Sequence, residues 1–254
     1  MSIVAVVSMK GGVGKTSTTA NLATAIASRL GEGRVSSIDL DPQNGLQWHF
    51  GHRSSERAGI CSQTLQGANW RDSAFSNPFG VRCMPYGAVS EDEREAFERL
   101  LAKDPHRLQR ELERAGLDED QVVLLDMPPG PSVYLDQGFA CADLVLIVLL
   151  ADAGSYATIM AMETWIDEMS PKRPDLACLY LLNQVDQVAP LNHDLAEILR
   201  QRLGERLLPI SIHRDEAVGE ALAFLKPVLY YDPQSQATDD FRRLAEHLLG
   251  PIAR

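Results

Sequence analysis

An apolar run, Ile3 to Ser8, passes directly into "MKGGVGKTSTTANL", and no other stretch constrains the fold as strongly. Gly11, Gly12 and Gly14 let the backbone turn tightly and aim N–H groups at phosphate oxygens. The helix that follows adds the positive end of its dipole. The general phosphate-loop pattern G-x-x-x-x-G-K-[ST] is met at Gly14, Lys15 and Thr16. It is missed at its first position, where Met9 stands, and an extra lysine, Lys10, follows. In this context Lys15 is expected to reach the β- and γ-phosphates and the Thr16 hydroxyl to ligate Mg²⁺. Lys10, Gly11, Gly12, Val13, Gly14, Lys15, Thr16 and Ser17 form the candidate nucleotide-binding segment.

The rest of the chain repeats the alternation of strand and helix. Apolar strands are expected over Arg34 to Leu40, "VRCMPYG", Gln121 to Asp126, Leu144 to Leu150, Leu176 to Asn183 and Leu207 to Ile212. Thr16 to Leu30 has Leu22, Ala25, Ile26 and Leu30 on one helical face and Gly31 as its stop. Ser90 and Glu93 make a capping box. Asp104 and Pro105 are expected to open a helix that stops at Gly116. Further helices are expected over Ser155 to Met169, His193 to Leu203 and Thr238 to Leu249, and a polar, less regular stretch from Gln43 to Asn77. Continuous apolar strands separated by helices imply an α/β fold of three layers, a mostly parallel twisted sheet with helices on both faces. No repeat or linker divides residues 1–254, so one P-loop ATPase domain is expected.

Ligands of such sheets bind beyond the carboxyl ends of the strands, and chemically useful residues sit there. "DLDPQN" places Asp39 and Asp41 at one strand end with different projections. Asp39 is expected to face the metal and Asp41 the attacking water. Asp126, ending "VVLLD", is expected to reach Mg²⁺ through a water, and the Pro128–Pro129–Gly130 turn to sense the γ-phosphate. Asn183 can both donate and accept, which suits adenine N6 and N7. His213 and Arg214 either line the base pocket or face a partner. The six histidines lack metal spacing.

The 24 basic and 35 acidic residues give a net charge of -11, which disfavours a broad DNA-binding surface. The four cysteines contain no C-x-x-C pair and read as reduced thiols. No signal peptide is recognised, and "LVLIVLL" is too short to span a bilayer, so a soluble cytoplasmic protein is expected. The last helix carries Phe241, Leu244, Leu248 and Leu249 on one face. Its acidic start suits core packing better than lipid.

"KGGVGKT", "DLDPQ" and "LLDMPPG", with the ending "KPVLYYDPQSQATDDFRRLAEHL", resemble the deviant Walker ATPases of the ParA and MinD type over nearly the whole chain. That resemblance implies ATP and Mg²⁺ as ligands and a homodimer with ATP sandwiched at the interface. It assigns Lys10 to the family's signature lysine, which crosses to the partner's phosphates, so the substituted residue at position 9 belongs to the family variant. More narrowly, "GANWRDSAF", "MPYGAVSEDE" and "LLPISIHRDEAVGEALA" resemble the BcsQ family, encoded with bacterial cellulose synthase. The resemblance implies a nucleotide-gated assembly factor for cellulose secretion at the inner membrane, with the small protein BcsR as a partner. The alternative is a partition ATPase of the ParA type that binds DNA. An electron-transfer ATPase would need paired interface cysteines, which the spacing does not offer.

Overall fold

Side-chain alternation commits both faces of the central strand. In β1 (Ser2–Val7), Ile3, Ala5 and Val7 join one apolar cluster, with Phe97, Leu112 and Phe139. Val4 and Val6 join another, with Leu22, Ile26 and Phe241. A strand buried on both sides needs helices on both sides. The computed structural model describes residues 1–53, 57–186 and 188–252, with side chains to residue 250. Its further strands are β2 (Val35–Asp39), β3 (Phe75–Ser76), β4 (Val81–Met84), β5 (Val122–Asp126), β6 (Leu144–Leu150), β7 (Ala177–Val185) and β8 (Leu207–His213). They form one sheet in the order β3-β4-β2-β5-β1-β6-β7-β8. All pairings are parallel except that of β3 with β4.

The helices are α1 (Lys15–Leu30), α2 (Leu46–His49), α3 (Ile60–Gln66), α4 (Glu91–Lys103), α5 (Arg107–Arg114), α6 (Val133–Cys141), α7 (Ala153–Met169), α8 (Pro190–Leu203), α9 (Glu216–Ala223), α10 (Val228–Tyr231) and α11 (Gln236–Ile252). Buried residues of α3 to α8 fill one face of the sheet, and those of α1, α2 and α9 to α11 fill the other. The doubly covered parallel sheet expected from the apolar runs is thus present. On α11, Phe241, Leu244 and Leu248 are buried. Each such side chain stabilises by about 1.5–3 kcal/mol on leaving water, so turning this face toward lipid would forfeit core packing. Among the described residues no helix is long and apolar enough to cross a membrane, and the four cysteines are free thiols.

Local chemistry moves several boundaries. The Ser90–Glu93 capping box forms, with each side chain bonded to the other's backbone N–H. The strand expected over "VRCMPYG" stops at Met84, because Pro85 has no N–H to continue the ladder. The helix expected at Asp104 and Pro105 starts at Arg107 instead. A residue before proline is pushed out of the α region, and Asp104 is extended, with φ -144° and ψ 94°. The stretch from 43 to 77 also contains α2, α3 and β3, elements too short for periodicity to register.

The register sets up the site. Asp39 of β2 pairs with Asp126 of β5, and Val6 of β1 pairs with the same Asp126. Three adjacent strands therefore end together, and the loops after β1, β2 and β5 meet at one edge.

Candidate functional site

The loop between β1 and α1 is built around glycine. Gly12 has φ +76° and Gly14 φ +87°, in the left-handed region that disfavours side chains. A Cβ on Gly14 would lie 2.4 Å from Asn183 Nδ2. That amide donates to the Val13 carbonyl at 2.8 Å and holds the loop from the end of β7. On the other side, Gly130 N–H donates to the Ser8 carbonyl at 2.9 Å, tying in the Pro128–Pro129–Gly130 turn. Gly14 supplies no side-chain cap to α1, and the first turn carries no acidic residue. The amino-terminal N–H groups and the positive dipole end are left to an incoming anion. They open on a cavity of about 940 Å³ lined by the glycines, Lys15, Thr16, Ser17, Asp41 and Pro129.

Gly14→Ala is expected to destabilise the chain by more than the roughly 1–2 kcal/mol of left-handed backbone strain, because the new methyl also meets Asn183. Gly12→Ala should show the backbone cost alone, since a Cβ there meets nothing within 4 Å. Thermal melts of both variants decide the matter, and equal losses would refute the role of Asn183.

Lys15 is 6% exposed. Burial lowers its pKa, while Asp126 and Asp41 pull it back up. Lys10 precedes Gly11, the first loop residue that lines the cavity, and its ammonium lies 2.7 Å from Asp152 Oδ2 in the same chain. Asp152 also caps α7 through Ser155 N–H. A Cβ on Gly154 would come within 2.9 Å of Lys10 Nζ, so glycine leaves room for the lysine. Sequence reasoning missed Asp152 and Gly154. The available signal was an acidic residue after a strand, three positions before a serine, at a helix start.

The three carboxylates divide differently from expectation. Asp41 lines the cavity, and its Oδ1 accepts from Gln43 N–H at 2.9 Å. Asp39 is fully buried, and its two oxygens accept from the N–H groups of Asp41 and Leu46 at 3.0 and 2.9 Å. It holds the Asp41 turn from behind instead of facing the cavity. Its pKa is raised by burial and then by Asp126 nearby. Asp126 is fully buried too, and burial also raises its pKa, against the pull of Thr16, Lys15 and Thr19. Its Oδ1 accepts from Thr19 at 3.1 Å, whereas its Oδ2 is buried without a partner. An orphaned carboxylate oxygen near the Thr16 hydroxyl fits a hydrated divalent cation. Among the described residues no group of three His, Cys, Asp or Glu side chains could hold a metal without such help. The fit is therefore to a cation brought in with phosphates.

A second cavity, of about 430 Å³, adjoins the loop at Gly14 and Ser17 and brings Asn183, His213 and Arg214 together. Val218 and Leu222 of α9 give it an apolar wall. Asn183 has one amide N–H engaged by the loop, so only part of its side chain is left for a ligand in this cavity. His213 Nδ1 lies 2.8 Å from Asp240 Oδ2, which also accepts the His213 backbone N–H at 2.9 Å. Asp240, on α11, is 1% exposed and carried no sequence signal. Asp215 accepts from Ala217 and Ala237 N–H groups with its two oxygens.

Fold and loop together define a P-loop ATPase of the ParA/MinD class. The cell division ATPase MinD of Pyrococcus furiosus superposes with a TM-score of 0.76 at 25% identity, covering 98% of this chain and 99% of that one. The family model described as cellulose biosynthesis protein BcsQ matches residues 1–249, and the chain belongs to that family. Cellulose biosynthesis protein BcsQ of Salmonella typhimurium is 30% identical over 252 residues, 98% of this chain and 94% of its own length. The chromosome partitioning protein ParA of Caulobacter vibrioides is 29% identical over 255 residues, with the same coverage of both chains.

Proposed function

We propose that this protein is an ATP-dependent dimerising ATPase that gates assembly of the bacterial cellulose secretion machinery. The observation that carries this is the uncapped start of α1 beside a buried Lys15, with a second lysine, Lys10, just ahead of the glycines, in a chain of the BcsQ family. ATP lies along the loop, its phosphates on the α1 N-terminus and its base between Asn183, His213 and Arg214. The Thr16 hydroxyl, and Asp126 through water, would hold Mg²⁺, which would supply charge neutralisation on the phosphates. Lys15 binds the β- and γ-phosphates, and Asp41, anchored from behind by Asp39, orients the attacking water. Lys10 exchanges Asp152 for the phosphates of a facing subunit, which makes ATP the condition for a homodimer.

The dimer presents a composite surface to protein partners of the cellulose synthase machinery, including the small protein BcsR. Recruitment follows from the partner's differential affinity for the two states. Contact with the inner membrane runs through those partners, in keeping with the burial of the α11 apolar face. A partition role is the second reading, favoured by the similarity to ParA and disfavoured by the net charge of -11.

In a host lacking the gene, cellulose output is expected to fall while chromosome segregation stays normal. Wild type should restore output. Lys10→Ala should bind ATP with near-normal affinity, fail to dimerise on size-exclusion chromatography, and leave output low. Anucleate cells with normal cellulose would establish the partition reading, and ATP-dependent dimers of Lys10→Ala would place Lys10 within its own subunit.

A further inference from the structure

We infer that a third cavity, between α8, the edge strand β8 and α11, is a binding site for a small molecule that carries a phosphoryl group. The cavity measures about 470 Å³. Arg200 and His193 of α8 and Arg243 of α11 line it, with Ser211 of β8 between the two helices. The strand lies at the end of the sheet order, so no further strand covers this side among the described residues.

The lining sets two arginines against two carboxylates, so its formal charges balance, but the carboxylates are committed to hydrogen-bond donors while the arginines have few partners. Asp240 accepts from the His213 backbone N–H and Gln236 Nε2. Asp186 Oδ1 accepts the N–H groups of Val188 and Ala189, and its Oδ2 lies 3.9 Å from Arg214. Among the described residues Arg243 makes no ion pair, and Arg200 has only Glu197, at 3.5 Å, on its own helix. Both arginines are exposed, and two guanidinium groups at one cavity are useful to an anion. The planar guanidinium fork matches phosphate oxygens two at a time. A volume of this size falls within the usual range for small-molecule sites, roughly 300–1,000 Å³, so a phosphate alone would not fill it. Ala196, Pro209 and Ile210 offer an apolar wall to the organic part.

The cavity stands back to back with the base-side cavity. His213 lines both, and Asp240 holds its ring from the side of the phosphoryl site. An anion beside Asp240 alters the field on that ring, so occupancy of one cavity changes affinity in the other, by the same factor in each direction. This coupling rests on the assignment of the base-side cavity, whereas phosphoryl binding does not.

The test is calorimetric titration of inorganic phosphate into the full chain saturated with Mg-ADP, which occupies the phosphate loop, at constant ionic strength. One saturable site is expected. It should weaken about tenfold or more in Arg200→Ala/Arg243→Ala and recover only in part in Arg200→Lys/Arg243→Lys, because an ammonium lacks the fork. Arg99→Ala/Arg110→Ala, which removes two exposed arginines elsewhere, should titrate as wild type. Melting curves matching wild type exclude misfolding of the variants. Absence of saturable heat, or wild-type titration by Arg200→Ala/Arg243→Ala, would overturn the site. Tighter binding of duplex DNA lost in that same variant would also overturn it, by showing that the arginines serve an extended polyanion. Phosphate binding that leaves ADP affinity unchanged would remove the coupling and keep the site.

Discussion

Lys15→Ala is expected to weaken ATP binding by about two to four orders of magnitude. The ammonium would make two charge-assisted bonds to the β- and γ-phosphates, each contributing roughly 1.5–3 kcal/mol, and 1.4 kcal/mol corresponds to a tenfold change in affinity. Backbone N–H groups of the loop cannot substitute, because Gly12 and Gly14 keep their geometry in the variant and supply dipoles, not a full charge. Burial has already lowered the lysine's pKa, so the apo chain bears a cost that the phosphates relieve. Calorimetry with Mg-ATP measures the effect directly. An affinity within threefold of wild type, about 0.7 kcal/mol on the same scale, would refute the phosphate-loop assignment. If the variant fails to fold, Lys15→Gln, which keeps the stem, provides the same comparison.

Asp41→Ala should behave in the opposite way. ATP binding should stay near normal, because Asp41 makes none of the proposed phosphate contacts. Turnover should fall by about 10² to 10⁴, the range attached to a positioned proton acceptor. The variant should accumulate as an ATP-bound dimer. Asp39→Asn is a useful companion. It should lower turnover less steeply, by loosening the Asp41 N–H bond at 3.0 Å and the Leu46 N–H bond at 2.9 Å that hold the turn. Single-turnover hydrolysis with size-exclusion chromatography separates these outcomes. Normal turnover by Asp41→Ala would transfer the water-orienting role elsewhere, and a monomer in saturating ATP would deny that binding and closure precede the chemistry.

What was legible in the sequence follows from the range of each interaction. The glycine loop, the Ser90–Glu93 box and the apolar strands are local patterns, and each formed near its expected place. Strand ends and short helices were less legible, because Pro85 and the Asp104–Pro105 step act through single backbone groups. The division of labour between Asp39 and Asp41 was not readable from alternation alone. Asp39 still belongs to the strand and turns into the protein, whereas Asp41 lies beyond it. The ties from Asp152 and Asp240 to their partners were hidden for a different reason. Their partners, Lys10 and His213, lie 142 and 27 positions away, and no local pattern encodes such a meeting.

Gly14 and Asn183 have a consequence for how such a chain can change over time. The amide at 183 occupies the space that any side chain at 14 would need, and its bond to Val13 gives the loop its support. The two positions, at the start of one helix and the end of a strand two places across the sheet, are therefore coupled, and a change at one is expected to constrain the other. A loop transplanted into another scaffold without the amide would keep its glycines and lose its shape. A chain that lost the amide first would lose the clash at position 14 but keep its left-handed backbone strain, and once that position was filled it could no longer regain the loop by a single substitution.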